Sequence, residues 1–237
     1  MNIIDIGIIL VLVMFALAGW KNGVIKETVS LVGLILIFVI AYTFKEQLGN
    51  VLCKYLPFFN FSGSIEGLVS LNILIYQLIA FLIILSVLYA IYQIVLKLSG
   101  VLQKLVNLTI ILALPSKLGG LVVGLLEGYL LIFAILMLVV VPFKNNPIIA
   151  ESKMITPIVH KTPLLSLYTK DISQTITDVY DLADRVSGEE ITINEANLEL
   201  IDTMLEYDVV SKKTVEQLRV LDKLKKVKGL DSVLKKY

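Results

Sequence analysis

The chain has one cysteine and one histidine in 237 residues. Cys53 has no partner for an internal disulfide, and His160 alone cannot complete a Cys/His metal cluster, so disulfide scaffolds and structural zinc sites are excluded. Charge is scarce as well, at 17% of residues against about 25% in soluble domains. The formal net charge of +1 leaves no basic field to attract nucleic acid, which is not expected as a partner. The N-terminus lacks the basic stretch and small-residue cleavage site of a signal peptide, and Asp5 sits where positive charge would be needed. The opening apolar run therefore reads as a retained helix. No P-loop, H-E-x-x-H or G-x-S-x-G motif occurs, so neither catalysis nor a cofactor or metal is expected.

What the chain has is apolar surface: 57% apolar residues and a mean hydropathy of +0.86. Its distribution is uneven, with 12 charged residues over 1–143 and 29 over 144–237. A transmembrane helix needs about 20 mostly apolar residues. Runs of that kind lie at about 3–20, 28–44, 68–96 and 118–141, and none alternates as a barrel strand would. The expected fold is all-α, a polytopic membrane helical bundle of four spans. The stretch 105–114 is too short to cross and ends at Pro115, so it reads as a short interfacial or re-entrant helix. A crossing there would make five spans and move the tail to the other side. Lysine counts are equal on the two sides of the four-span arrangement, which leaves orientation open. Cys53 falls in the second loop and offers a thiol for labelling from one side.

Composition suggests three segments: a bundle over 1–143, a juxtamembrane linker with an amphipathic helix over 144–187, and a small helical soluble module over 188–237. Pro157 and Pro163 suggest a hinge, 164–186 a helix, and Ser187-Gly188 its break. Thr192 and Glu195 have capping-box spacing, with Ala196, Leu198, Ile201, Met204 and Leu205 following at helical period. Ser211 can cap a second helix over 214–226, and Gly229 marks a stop before 230–237. The lysines between Lys223 and Lys236 read as a solvated face, or as a contact to an anionic membrane surface.

The first hairpin reads Gly19-Trp20-Lys21-Asn22-Gly23-Val24-Ile25-Lys26-Glu27, leading to Leu31 and Gly33, after an early Asp5. This resembles the signature of the colicin V production protein (CvpA) family, an early acid followed by a G-x-[RK]-x-G turn and an acid or amide four residues on. Leu118-Gly119-Gly120-Leu121-Val122-Val123-Gly124, followed by Glu127-Gly128-Tyr129, is similar to a second segment of that family. Phe59-Asn60-Phe61-Ser62-Gly63 and Val159-His160-Lys161-Thr162-Pro163-Leu164-Leu165-Ser166 resemble features of its Gram-positive members. The resemblance covers about residues 1–170. Lys21 stands where Arg is usual, and the tail after about 187 has no counterpart in short members. The resemblance implies a multi-pass protein of the bacterial cytoplasmic membrane with an accessory or scaffold role in peptide-toxin (bacteriocin) production or export and in envelope homeostasis. It brings no catalytic residues.

The residues that carry weight are few. Glu127 lies about ten residues into the fourth run, where a charged carboxylate costs about 3 kcal/mol, so it is paired, wetted or neutralised. It reads equally as a structural polar contact and as a proton- or ion-coupled group. Gly120, Gly124 and Gly128 recur every four residues with Gly119 beside them, a face that lets another backbone approach. That face packs either within the chain or against a second copy, and the second case gives a rival reading: a small homo-oligomeric channel or transporter with Glu127 in its path. Asp5, Lys21, Lys26 and Glu27 sit near helix ends and are expected to be interfacial anchors, with Gly19 and Gly23 permitting the tight turn. The expected partners are the lipid bilayer, a second copy, and an unidentified protein met through the tail.

Overall fold

The computed structural model describes residues 2–107, 110–140, 149, 151–162, 177–179 and 181–237. Among these, every regular element is helical. In chain order they are α1 (Ile3–Asn22), α2 (Val24–Tyr55), a 3-10 turn (Gly63–Ile65), α3 (Leu71–Asn107), α4 (Ile110–Val140), α5 (Ile155–Lys161), α6 (Ile193–Glu206), α7 (Lys212–Val220) and α8 (Leu230–Leu234). Residues 177–179 and 181–187 are also helical. Among the described residues, four helices are long and apolar enough to cross a membrane: α1, α2, Leu71–Leu98 of α3 and Leu114–Leu136 of α4. The all-α, four-span expectation holds.

The helices outrun their apolar stretches. The second run was expected at 28–44, yet α2 spans Val24–Tyr55, because Lys, Glu and Gln end a lipid-soluble run while remaining good helix formers. For the same reason Lys97 and Lys104 do not end α3. The short separate helix expected over 105–114 is not found: 105–107 close α3, 110–114 open α4, and Leu108 and Thr109 lie outside the described residues. Pro115, expected to end that helix, lies inside α4.

Local signals set the ends of α1. The Asn2 side chain accepts from the Ile4 amide, and the Asp5 carboxylate accepts from the Asn2 amide at 3.1 Å, a capping box. At the other end Gly23, at φ 80°, donates to the Gly19 carbonyl at 2.9 Å and turns the chain into α2 within one residue.

Packing groups the chain into two units, one of residues 1–41 and 85–166, the other of 42–84 and 167–237. In the first, α1 lies along α4, and Ile8, Ile37, Tyr92, Ile132, Phe133 and Leu136 are buried. Ile6, Leu10, Met14 and Leu17 of α1 are exposed, apolar surface that suits lipid.

In the second unit the tail helices share one core with the end of α2 and the start of α3. Cys53, Leu68, Ile73 and Tyr76 pack in a cluster with Leu200, Ile201, Met204, Leu218 and Leu224. The expectation that Cys53 is an accessible loop thiol is thus overturned: it belongs to α2 and is 0% exposed. The α6 capping box forms as its spacing predicts, Thr192 accepting from the Glu195 amide at 3.2 Å and Glu195 from the Thr192 amide at 2.8 Å. Ser211 caps α7, but α7 stops at Val220 rather than 226, with Asp222 just beyond in the left-handed region at φ 57°. Gly229, at φ 86°, opens α8. Of the linker, Pro157 lies inside α5, 181–187 are helical, and Gly188 is in a turn; Pro163 and 164–176 lie outside the described residues.

Candidate functional site

Two features of the first unit hold most of the residues singled out above. One is a bare backbone contact. Gly120 and Gly124 of α4 face Gly19 and Phe15 of α1 so closely that a Cβ on Gly124 would lie 3.1 Å from the Gly19 Cα and against the Phe15 carbonyl. A Cβ on Gly128 would come within 2.8 Å of the Phe15 Cβ, and one on Gly119 within 3.0 Å of the Val24 side chain. All four glycines of this face therefore meet α1 or the first residue of α2 within the same chain. Close packing of this kind holds helices together where lipid supplies no hydrophobic drive. The face is filled by α1, which leaves no room there for a second copy. Nearby, the Val24 amide, unsatisfied at the start of α2, donates to Ser116 Oγ of α4 at 3.3 Å.

The other feature is a buried polar cluster. Glu127 of α4 is 8% exposed, and its Oε1 accepts from Ser30 Oγ of α2 at 2.8 Å. Ser30 also meets the Tyr92 hydroxyl of α3 at 2.8 Å, and that hydroxyl donates to the Ser30 carbonyl at 3.1 Å. Gly33, one turn along α2, makes room for this tyrosine, since a Cβ there would lie 2.5 Å from the ring. Glu27, one turn earlier than Ser30 on α2, is buried as well and accepts from Asn22 Nδ2 at 2.5 Å. Lys26 donates to Asn22 Oδ1 at 3.0 Å. Glu127 is thus paired with Ser30, one of the ways a mid-span acid is made tolerable.

The anchor expectation fails for two of its four residues. Glu27 is buried in this cluster, and Asp5 is buried as well, its Oδ1 accepting from Ser152 Oγ at 2.6 Å and from the Met154 amide at 3.2 Å. The Asp5 carboxylate, at the first turn of α1, serves backbone amides and Ser152, and the Glu27 carboxylate serves the Asn22 side chain, which is why neither is an anchor. Lys21 is exposed and Lys26 half-buried. Ser30, Tyr92 and Ser152 were missed. Ser30 carried a signal, as an uncharged polar residue inside the second apolar run; Ser152 carried none.

In the second unit the polar contacts fasten the tail. Glu46 of α2 accepts at Oε1 from Thr214 Oγ1 and Ser211 Oγ, both at 2.5 Å, and from the Ser211 amide at 2.8 Å. A carboxylate is placed at the positive end of α7, where the helix dipole favours it. Asn50 Nδ2 donates to Thr214 Oγ1 at 2.7 Å, and Lys223 Nζ to the Leu56 carbonyl just past the end of α2 at 2.8 Å. None of these partners was anticipated. His160 lies in α5, and its side chain is outside the described residues.

Apolar helices of this length, exposing this much apolar side-chain surface, are matched only by lipid, and they define a multi-pass membrane protein. Its family follows from the sequence carried on them. The Colicin V production protein family matches residues 4–163, more than half of the chain, and the chain belongs to that family. No curated protein and no solved structure matches it.

Proposed function

We propose that the chain is a non-enzymatic accessory or scaffold protein of the bacterial cytoplasmic membrane, acting in the production or export of a peptide toxin and in upkeep of the envelope. The observation that carries this reading is the family match over residues 4–163, which takes in all four spans. Two further observations support it. The glycine face and the Glu127 cluster are engaged in contacts within the chain, as expected of a rigid support. The tail is built into a unit with the end of α2 and the start of α3, so a soluble partner captured there would be tied firmly to the membrane.

The test is genetic and biochemical together. Removing the gene from a toxin-producing host should lower the peptide toxin in the culture medium and raise sensitivity to detergents, with the full-length chain restoring both. Unchanged secretion and unchanged sensitivity would refute the role. A photo-reactive residue at exposed Lys225 or Lys228 should cross-link one protein reproducibly in cells. Cross-links to lipid alone would remove the recruitment part of the reading.

A further inference from the structure

The end of α2 carries a second candidate site. At about 1.5 Å per residue, the 32 residues of α2 make a rod of about 48 Å, against a bilayer of about 40–45 Å with its headgroups. A helix that crosses the membrane at this length brings its last two turns to headgroup level. Those turns and α7 enclose an open groove of about 580 Å³. Its walls include Asn50, Val51 and Lys54 of α2, Lys213 and Val220 of α7, and Leu221 beyond it.

The lining of the groove combines apolar side chains with basic and uncharged polar ones. Val220 is 83% exposed, more than any other large apolar residue described, and Val51 and Leu221 are 49% and 40% exposed. One exposed valine is unremarkable, but three apolar side chains sharing a groove with two lysines at the end of a spanning helix form a combination that water does not favour. Tyr55, 73% exposed, follows Lys54, whose ammonium lies 5.2 Å from its ring centroid. Lysine and tyrosine at the end of a span are the side chains that settle among headgroups. Among the lining residues the one acid is Glu216, so Lys54 and Lys213 leave a surplus of one positive charge.

We propose that this groove seats an anionic phospholipid, its phosphate held between the Lys54 and Lys213 ammonium groups and an acyl chain laid along Val51, Val220 and Leu221. The proposal rests on α2 crossing the bilayer and is independent of the role in toxin production. One surplus positive charge at an anionic surface favours a charged over a neutral lipid about five-fold at low salt.

The test uses the full-length chain in lipid nanodiscs, with the native indole removed by Trp20→Phe and a reporter introduced by Val220→Trp. Cys53 unreactive towards maleimide in every variant certifies that the unit is folded. Chain-brominated phosphatidylglycerol at a fixed mole fraction in phosphatidylcholine should quench the indole. The converse, brominated phosphatidylcholine in phosphatidylglycerol, should quench about five-fold less, and Lys54→Gln with Lys213→Gln should abolish the difference. Equal quenching by the two lipids would show an apolar contact without a headgroup seat and overturn the proposal. No quenching by either, with full access to aqueous iodide, would also overturn it and point to a protein occupant.

Discussion

Gly19 and Gly120 meet backbone to backbone across α1 and α4, so that a Cβ built on either would collide with the carbonyl of the other. Gly124 continues the contact one turn on, against Phe15 and Gly19. The glycines of the first hairpin and of the fourth span are two halves of one joint.

Gly120→Ala and Gly124→Ala should therefore each destabilise the bundle by about 1–3 kcal/mol, the usual cost of overpacking a close contact. Gly7 is the control, because nothing lies within 4 Å of a Cβ placed there and Ala is the better helix former. Denaturant titration of helicity in micelles should rank Gly7→Ala at or above the parent chain and the other two below it. Equal effects at all three positions would contradict the joint.

How much of this was legible in the sequence depends on range. The spans show in composition because lipid demands unbroken apolar runs, and the Thr192 and Ser211 caps show because capping is settled within four residues. The glycine period of α4 marked a packing face, but nothing local named α1 as the occupant, about 100 residues away. Glu127 was visible as an anomaly and Glu27 as an interfacial anchor, but nothing local named Ser30 as the partner of Glu127. The tail read as a module of its own because its helices are amphipathic. Their buried face is completed by Cys53, Leu68 and Tyr76, more than a hundred residues earlier in the chain, which no local pattern names.

Cys53 reports on that shared core. Glu46 makes three charge-assisted contacts to the start of α7, and hydrogen bonds to charged groups contribute about 1.5–3 kcal/mol. Glu46→Ala should raise the population in which the tail is undocked by about 10- to 100-fold, and maleimide labelling of Cys53 should accelerate by the same factor. An unchanged labelling rate would mean that Glu46 does not hold the tail.

Asn197 is 3% exposed and bonds at both ends of its amide: Oδ1 accepts from the Ser70 amide and hydroxyl, each at 2.8 Å, and Nδ2 donates to the carbonyls of Gly67 and Ile193 at 3.0 and 2.8 Å. Asn197→Leu keeps the volume but strands the buried groups of residues 67–70, at roughly 3 kcal/mol in all. Ser70→Ala removes one donor and should cost about 1 kcal/mol. Hydrogen exchange at the Ser70 amide separates them, with protection lost in Asn197→Leu and largely kept in Ser70→Ala. Full protection in both would contradict the assignment.

Two acids of the tail should respond to pH with opposite sign. The Thr192 amide and hydroxyl hold the Glu195 carboxyl below its ordinary range, so its contribution to stability is present above the unfolded value and is lost as pH falls through the folded one. Glu195→Gln should lower the melting temperature at neutral pH and become indistinguishable from the parent chain in acid. Burial, then the nearby Asp181, Glu199 and Glu206, pushes Asp178 upward. The folded state therefore binds that proton more tightly than the unfolded chain does, and the charged form weighs against folding until acid neutralises it. Asp178→Asn should raise the melting temperature at neutral pH, and the gain should fade as pH falls. Thermal scans of both variants at neutral and acidic pH decide the matter: shifts of the same sign at neutral pH would show that one of the two environments is not as described.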